Sequence, residues 1–307
     1  MNRGVAYALG AYLLWGLFPL YFRALRQVPP LQILAHRMVW SLLVMLLVLT
    51  LLRRWTWLRV LRDRPAIAAR FAGSALLLAY NWGLYIWAVN NGHVVDASLG
   101  YYINPLMSVV VGATVLSERL RAAQWAAIGV AAAGVLWMTI EVGRPPWIAL
   151  TLALSFAIYG LLRKTAPLGS LEGLALETAA LFPLASTYLV WEGVHGSDAF
   201  VHGGWGLRAL LVAAGPVTAI PLLLFAAAAR RIPLSLLGIL QYSMPTVVLA
   251  LGVWLFHEPF GAGRTVGFGL VWAGVAIYLT DALWRWRALG SRGPADFQRR
   301  IRAPSDP

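Results

Sequence analysis

The sequence contains the stretch PLMSVVVGATVLSERLRAAQWAAIGVAAAGV at residues 105–135 and a second version of it, PTVVLALGVWLFHEPFGAGRTVGFGLVWAGV, at residues 245–275. A shift of 140 positions (245 against 105) aligns the two stretches without a gap. Matches of Leu or Ala are common by chance in an apolar sequence, but matches of Pro, Glu and Gly are not. The matched positions are Pro105 and Pro245, Glu118 and Glu258, and the glycine pairs 112 and 252, 129 and 269, and 134 and 274. The sequence therefore predicts an internal duplication.

The composition excludes a soluble enzyme. Hydrophobic residues make up 60% of the 307 residues and charged residues only 12%, whereas a soluble domain carries about a quarter charged residues. The net charge of +13 lies mostly in short loops between apolar runs, not on one polar face as in nucleic-acid-binding proteins, so no nucleic-acid partner is expected. The chain has no cysteine, which excludes disulfides, a thiolate nucleophile and a cysteine metal site.

Ten apolar stretches approach the length of a membrane helix, which needs about 20 mostly apolar residues. The predicted spans are 4–25, 32–52, 66–89, 97–116, 123–140, 146–162, 172–190, 207–229, 234–256 and 265–283. The first run lacks a small-residue cleavage site and is expected to be a retained helix. The segments between spans are too short for a catalytic domain. The predicted fold class is an all-α polytopic membrane protein with ten transmembrane helices.

The positions of Lys and Arg predict the orientation. With the N-terminus in the cytoplasm, most of these residues lie on the cytoplasmic side, although Arg23 and Arg26 do not, so both termini are expected inside. The predicted repeats, 4–140 and 146–283, each contain five spans, so the second enters the membrane from the opposite side. Inverted repeats of this kind are a recurring transporter architecture with the substrate site near the midplane between the halves. Residues 284–307 are expected to form a basic, disordered cytoplasmic tail.

The sequence resembles the EamA group of the drug/metabolite transporter superfamily, and within it the RarD-type proteins. The resemblance covers residues 4–283 in order and is carried by WGLFPLYF from Trp15, HRMVWS from His36, NWGLYIWAVNNG from Asn81, ASLGYYINPL from Ala97, SFAIYGLLRK from Ser155, and the region of Gln241, Tyr242 and Pro245. It implies a secondary transporter of the bacterial inner membrane, associated with drug resistance. The usual Gly-Glu that closes the fourth span of each repeat is Ser117-Glu118 and His257-Glu258 here. Glu118 and Glu258 are expected to end their helices near water.

Three ionisable residues are expected deep in the membrane, His36, Arg37 and Glu177, and such residues cost about 2.5–3.5 kcal/mol each on insertion scales. The shift of 140 places Arg37 and Glu177 at equivalent positions, so we hypothesise that both line a central cavity and attract each other. Arg37 would bind an anion and Glu177 a cationic group or a proton. Alternatively, each side chain snorkels to water. His36 is a pH-dependent charge or, as we favour, a neutral histidine hydrogen-bonded to a neighbouring helix.

Polar and aromatic residues in the third span are further candidates. Asn81 and Tyr85 share a helix face and Trp82 is adjacent, so they could cradle an apolar or cationic organic molecule. Alternatively, they belong to an interfacial aromatic belt, which suits Trp87 better than Asn81 or Trp82. Residues expected to contribute to cavity walls or gates are Trp15, Pro19 and Tyr159.

Polar residues also precede the matched prolines, which interrupt helix hydrogen bonding. They are Tyr101, Tyr102 and Asn104 before Pro105, and Gln241 and Tyr242 before Pro245. Polar groups beside helix breaks in both halves point to a midplane binding site; the alternative is a kink that only shapes packing. The glycines at 129, 134, 269 and 274 are expected to allow close helix packing, either between the repeats or in a homodimer.

These features favour a secondary transporter that exports small organic metabolites or drug-like compounds by alternating access. There is no G-x-x-x-x-G-K-[ST] loop, so ATP does not drive transport directly, and no cofactor or metal is expected. The expected partners are a small-molecule substrate and the lipid bilayer. An intramembrane enzyme would need more acid and base groups than His36, Glu177 and hydroxyls. A non-transporting membrane sensor or assembly factor is the alternative.

Overall fold

The protein is all-helical in the residues described by its computed structural model, which are 3–91, 93–143, 145–255 and 262–290. The helices are α1 (Arg3–Gly16), α2 (Phe18–Ala24), α3 (Pro30–Leu51), α4 (Trp57–Asp63), α5 (Pro65–Asn90), α6 (Val94–Val115), α7 (Ala122–Val142), α8 (Trp147–Lys164), α9 (Ser170–Val194), α10 (Ala199–His202), α11 (Trp205–Ala229), α12 (Leu234–Gln241), α13 (Ser243–Ala250) and α14 (Ala262–Gly290). A π-helical segment, Leu251–Leu255, follows α13. The prediction of an all-α fold is confirmed for these ranges.

Eight helical stretches of the described residues are long and apolar enough to cross a membrane. They are Arg3–Ala24, Pro30–Leu51, Asp96–Val115, Ala122–Glu141, Trp147–Lys164, Ser170–Val194, Trp205–Ala229 and Leu234–Leu255. The predicted spans 66–89 and 265–283 lie on α5 and α14, which are not among the eight; in α14 the apolar part is the shorter stretch Thr265–Asp281. Ten spans therefore remain a prediction.

Prolines set several of the helix starts. Helix α3 begins at Pro30 and α5 at Pro65, while α8 and α12 begin directly after Pro146 and Pro233. Proline suits the start of a helix because the first N–H groups have no intrahelical acceptor and its fixed φ matches the helix. The short loops thus come from local sequence signals.

The helix starts recur at the spacing found in the sequence. Helices α3, α5, α6 and α7 begin at residues 30, 65, 94 and 122, and helices α9, α11, α12 and α14 begin at residues 170, 205, 234 and 262. Each pair differs by 140 positions. The copies differ inside the fourth helix, since α6 continues through Pro105, whereas Tyr242 separates α12 from α13.

The chain forms two compact units, and the first comprises residues 1–118 and 142–260. In this unit α1 packs on α11, α3 on both α9 and α11, and α6 on both α8 and α12. Small residues allow two of these approaches. A Cβ on Gly215 would lie 2.6 Å from the Trp40 carbonyl oxygen, and a Cβ on Gly238 would lie 2.6 Å from that of Pro105. Backbones in contact at glycine are typical of membrane helix packing.

The second unit comprises residues 119–141 and 261–307. Its helices α7 and α14 pack closely at two of the four predicted glycines, because a Cβ on Gly134 would lie 2.6 Å from the Gly267 carbonyl oxygen and a Cβ on Gly274 would lie 2.5 Å from that of Ala127. Additions at Gly129 and Gly269 would meet no atom of the described chain within 4 Å. Helix α14 continues to Gly290, past the residue where the sequence predicts a tail, and residues 291–307 lie outside the described ranges.

Candidate functional site

Arg37 lies on α3, half-buried, and turns its guanidinium towards α11. Its Nε donates a hydrogen bond of 2.8 Å to the hydroxyl of Thr218. Its Cζ lies 4.5 Å from the centre of the Trp82 ring, and 5.5 and 5.8 Å from those of Phe18 and Phe22. We call these five residues the Arg37 cluster. Aromatic faces attract a cation through their quadrupole, so the cluster partly stabilises a charge that lies away from bulk water.

Tyrosines extend the polar surroundings of Arg37. The phenol groups of Tyr21 and Tyr101 lie close enough to interact electrostatically with the guanidinium. The hydroxyl of Tyr21 donates 2.8 Å to the carbonyl of Leu210 on α11, and the ring of Tyr101 lies 5.8 Å from that of Tyr85. The predicted candidates Arg37, Trp82, Tyr85 and Tyr101 therefore come together in one part of the first unit.

Glu177 lies on α9 in a different environment. The hydroxyls of Ser74 and Tyr159 donate to its carboxylate at 2.6 and 3.2 Å, and the Nη1 atom of Arg163 lies 3.5 Å from it. The side chains of Arg163 and Glu177 are each 2% exposed. Helices α5, α8 and α9 thus enclose a buried ion pair with two hydroxyl donors.

The hypothesis that Arg37 and Glu177 attract each other is corrected by these contacts, because the ion pair of Glu177 is with Arg163. Within the described ranges, Arg37 and Glu177 form no ion pair. The cause is the seam between α3 and α9, which is filled by a hydrophobic cluster with buried residues Ala35, Met38, Ala75, Leu181 and Ala185. Arg37 contacts α11 through Thr218 and α5 through Trp82, whereas Glu177 contacts Ser74 of α5 and two residues of α8. Their role in lining a cavity remains a prediction.

His36 is buried on α3 near the start of α10. Its Nε2 lies 3.9 Å from Asp198 Oδ1, too far for a hydrogen bond, and its ring lies 5.4 Å from that of Phe200. Neither ring nitrogen has a hydrogen-bond partner among the described residues. The prediction that His36 is hydrogen-bonded to a neighbouring helix is therefore wrong for the described residues. Asp198 is held by the helix start, where its Oδ1 accepts a bond of 2.6 Å from the Phe200 amide.

Asn81 connects two helices rather than facing open space. Its Nδ2 donates to the Leu152 carbonyl and to the Ser155 hydroxyl, both at 2.8 Å, across the contact of α5 with α8. Because both bonds come from the amide nitrogen, its two N–H groups are already satisfied. The structure thus gives Asn81 a packing role.

The residues beside the matched prolines meet between α6 and α12. The hydroxyl of Tyr242 donates 3.1 Å to the carbonyl of Tyr102, which is its own counterpart at a shift of 140. Asn104 and Gln241 are both buried, and Asn104 Oδ1 has no hydrogen-bond partner in the described part of the chain. These contacts join the two halves of the sequence within the first unit.

Glu118 joins the end of α6 to the start of α12. Its carboxylate accepts bonds from the backbone amides of Leu234 and Ser235 at 2.6 and 2.9 Å and from the Ser235 hydroxyl at 2.7 Å. Lys164 Nζ lies 3.9 Å away. A carboxylate at a helix N-terminus satisfies orphan amides and the helix dipole, which agrees with the structural role expected for Glu118. Its counterpart Glu258 lies outside the described residues.

Sequence reasoning missed Thr218, Ser74 and Arg163. Thr218 was detectable, because it is a hydroxyl in an apolar span between Pro216 and Pro221. Arg163 directly follows the predicted span 146–162 and stands next to Lys164, so the sequence indicates only a positive loop charge there. Ser74 has no such signal, and its role depends on how α5 is rotated against α9.

Comparisons with known proteins identify the family and the fold. The model of the family described as "EamA-like transporter family" matches residues 2–140 and 145–280. The chain is 52% identical over 282 residues to "Protein RarD" of Streptomyces exfoliatus, covering 92% of this chain and 90% of that protein. It is 45% identical over 290 residues to "Uncharacterized transporter YojE" of Bacillus subtilis (93% and 96% covered), and 42% identical over 286 residues to "Protein RarD" of Escherichia coli strain K12 (93% and 97%). A solved crystal structure shares the fold, with a TM-score of 0.68 at 21% identity over 90% of this chain and 97% of its own.

Proposed function

This chain belongs to the EamA-like transporter family as a RarD-type member, and we propose that it is a secondary transporter that exports small organic metabolites or drug-like compounds by alternating access. Membership of the family and the apolar helices establish a multi-pass membrane protein of a transporter family. The substrate class, the direction and the mechanism are our proposal. ATP has no predicted binding loop in the sequence, so the energy would come from a gradient.

The proposed architecture is ten spans arranged as two inverted five-helix repeats, with α5 and α14 as the additional spans. The recurrence of helix starts at a shift of 140 supports it. The packing within the first unit supports it as well, because a contact between two helices recurs between their counterparts in the other repeat. Helix α1 packs on α11 as α8 packs on α5, and α3 packs on α11 as α9 packs on α5. Such reciprocal packing is what a pseudo-two-fold axis requires.

The observation that carries the transport proposal is the Arg37 cluster. It joins a cation of the first sequence repeat to a hydroxyl of the second, through the 2.8 Å bond from Arg37 to Thr218. An ionisable residue within a membrane helix is a functional candidate by default, because its insertion is costly. A site shared by the two halves is the arrangement that alternating access uses.

The orientation follows from the distribution of Lys and Arg. We place the protein in the bacterial inner membrane with both termini in the cytoplasm, since cytoplasmic loops carry the excess of positive residues. In this orientation the loop between α9 and α11 lies outside. The polar bonds of Gln32 to Glu192 and to the Ser197 carbonyl, at 2.9 and 2.8 Å, would then hold that loop against α3 on the outer side.

Counterflow in proteoliposomes tests the proposal. Liposomes containing the purified protein are loaded with unlabelled phenylalanine, adenosine, tetraphenylphosphonium, tetracycline or phenylacetate and diluted into a trace of the labelled compound. At least one compound should accumulate faster than in protein-free liposomes, and Arg37→Gln should abolish the difference. If no compound exchanges faster than in protein-free liposomes, the transporter proposal fails for these classes and the sensor alternative gains support.

A further inference from the structure

The positive charge of Arg37 has no carboxylate partner in the described part of the chain. Other basic side chains at the ends of the helices do have one: Arg163 lies 3.5 Å from Glu177, and Lys164 lies 3.9 Å from Glu118. The hydrogen-bond acceptor of Arg37 is the neutral hydroxyl of Thr218.

The location of Arg37 makes this absence significant. Arg37 lies seven positions after Pro30, the first residue of α3, which corresponds to about 10 Å along the helix axis. Its guanidinium lies over the rings of Trp82, Phe18 and Phe22 instead of extending to the helix end. Aromatic rings offset part of the desolvation of a cation, but they do not neutralise its charge. Membrane-embedded charges are normally paired or serve a ligand.

The geometry points to an organic anion as the substrate class, with its carboxylate or phosphate oxygens bound by Arg37. This inference rests on the proposed transport function and adds the chemistry of the substrate to it. Thr218 holds the guanidinium through Nε, which leaves the Nη1 and Nη2 edge. That edge is the planar pair of donors that binds two oxygens of one carboxylate or phosphate group.

The surroundings of Arg37 also define the rest of the ligand. Phe18, Phe22 and Trp82 present apolar ring surface to the guanidinium. Tyr101, which interacts electrostatically with Arg37, has its ring 5.8 Å from that of Tyr85. Such surfaces favour an apolar or aromatic body attached to the anionic group. A strongly hydrated inorganic anion would gain nothing from them. The substrate is therefore an organic anion with an apolar body.

Matched pairs of compounds test this inference on the unmodified protein. The thermal melting of the full chain in a neutral maltoside detergent is measured with phenylacetate, benzoate and phenyl phosphate, and with the amides phenylacetamide and benzamide. At least one of the anions should raise the melting temperature while its amide does not. Equal shifts for a carboxylate and its amide, or no shift with any of the three anions, would overturn the inference.

Variants assign the binding to Arg37. In Arg37→Gln the dissociation constant of the anion should increase at least about 30-fold, because loss of one partner of a desolvated charge pair costs 2 kcal/mol or more. Arg26→Gln removes the same charge from an exposed side chain and should leave binding unchanged. If Arg37→Gln does not fold, Arg37→Lys replaces it, which keeps the charge but loses the planar donor pair and should still weaken binding. Unchanged affinity in the folded Arg37 variant would refute the assignment.

Two further measurements separate the outcomes. The tryptophan fluorescence of the protein should change on anion binding, because the Trp82 ring lies 4.5 Å from the guanidinium. An identical change in Trp82→Phe would contradict the assigned position.

Phosphatidylglycerol is added to the melting experiment in parallel. A melting shift with this lipid but with none of the soluble anions would mean that Arg37 binds a lipid headgroup and would overturn the substrate assignment. Counterflow of a neutral compound without anion binding refutes this inference alone, whereas anion binding without counterflow of any compound refutes the transport function.

Discussion

The buried pair of Arg163 and Glu177 gives a prediction whose magnitude follows from burial. Both side chains are 2% exposed, and the Nη1 atom of Arg163 lies 3.5 Å from the carboxylate. In Arg163→Met the carboxylate keeps only the hydroxyl donors of Ser74 and Tyr159. Removing one partner of a buried ion pair costs about 3–5 kcal/mol, because the other charge stays buried. We therefore expect the free energy of unfolding to fall by that amount.

The double variant Arg163→Met/Glu177→Gln should recover most of this loss. The glutamine has no charge and still accepts from the two hydroxyls, so the double variant is expected within about 2 kcal/mol of the unmodified protein. Glu177→Gln alone leaves the charge of Arg163 buried and should also cost about 3–5 kcal/mol. The interaction energy of the cycle would then be at least about 4 kcal/mol, well above the error of additivity for independent sites.

Unfolding in mixed micelles with increasing dodecyl sulfate, followed by circular dichroism, measures these free energies. The chain provides a control in Arg26, whose side chain is exposed. Arg26→Met should change the free energy of unfolding by no more than about 0.5 kcal/mol, as substitutions at exposed positions usually do. An Arg163→Met variant no less stable than Arg26→Met, or a double variant as unstable as the sum of the single variants, would contradict this prediction.

Three further variants test individual contacts by the same unfolding measurement. Gly238→Ala should destabilise the protein by about 1–3 kcal/mol through overpacking, because the new Cβ would lie 2.6 Å from the Pro105 carbonyl oxygen. Gly73→Ala should not, because no atom of the described residues lies within 4 Å of its Cβ; equal losses for the two variants would contradict this. Glu118→Ala should cost about 1–2 kcal/mol, because it removes the acceptor at the start of α12, and an unchanged stability would show that water replaces it. Tyr242→Phe removes the bond to Tyr102 and should cost about 1 kcal/mol; a loss above 3 kcal/mol would mean that packing, not this bond, is disturbed.

Much of the helix layout could be predicted from the sequence, because it depends on local signals. Apolar runs, prolines at helix starts such as Pro30 and Pro65, and charged loops mark the elements without reference to the rest of the chain. The shift of 140 found from Pro105 and Pro245 also describes the helix starts. The prediction was less accurate where a helix ends in polar residues, as in α14, which continues to Gly290.

The partners of the polar side chains could not be predicted in the same way, because they depend on how each helix is rotated about its axis. Arg37 and Glu177 are equivalent in sequence, and this equivalence suggested that they face each other. Small and apolar residues such as Ala35 and Leu181 lie between α3 and α9 instead. The two charges have different partners, Thr218 for Arg37 and Arg163 for Glu177. Asn81 illustrates the same limit, since an amide in a membrane span serves a ligand or a helix contact equally well on sequence grounds.

The duplication places opposite charges at equivalent positions, and the structure treats them differently. Glu177 is paired with Arg163 within the second repeat, while Arg37 lies among aromatic rings with no carboxylate partner among the described residues. On the inference drawn above, the transported species is then an anion. Export of one negative charge from a cytoplasm at negative potential is favoured by about 2.3 kcal/mol for each 100 mV, which corresponds to roughly a 50-fold concentration ratio. The membrane potential alone could therefore drive export without a coupling ion. In proteoliposomes with a potassium diffusion potential, phenylacetate efflux should accelerate when the interior is made negative, and an efflux rate independent of the potential would rule out this mode of energisation.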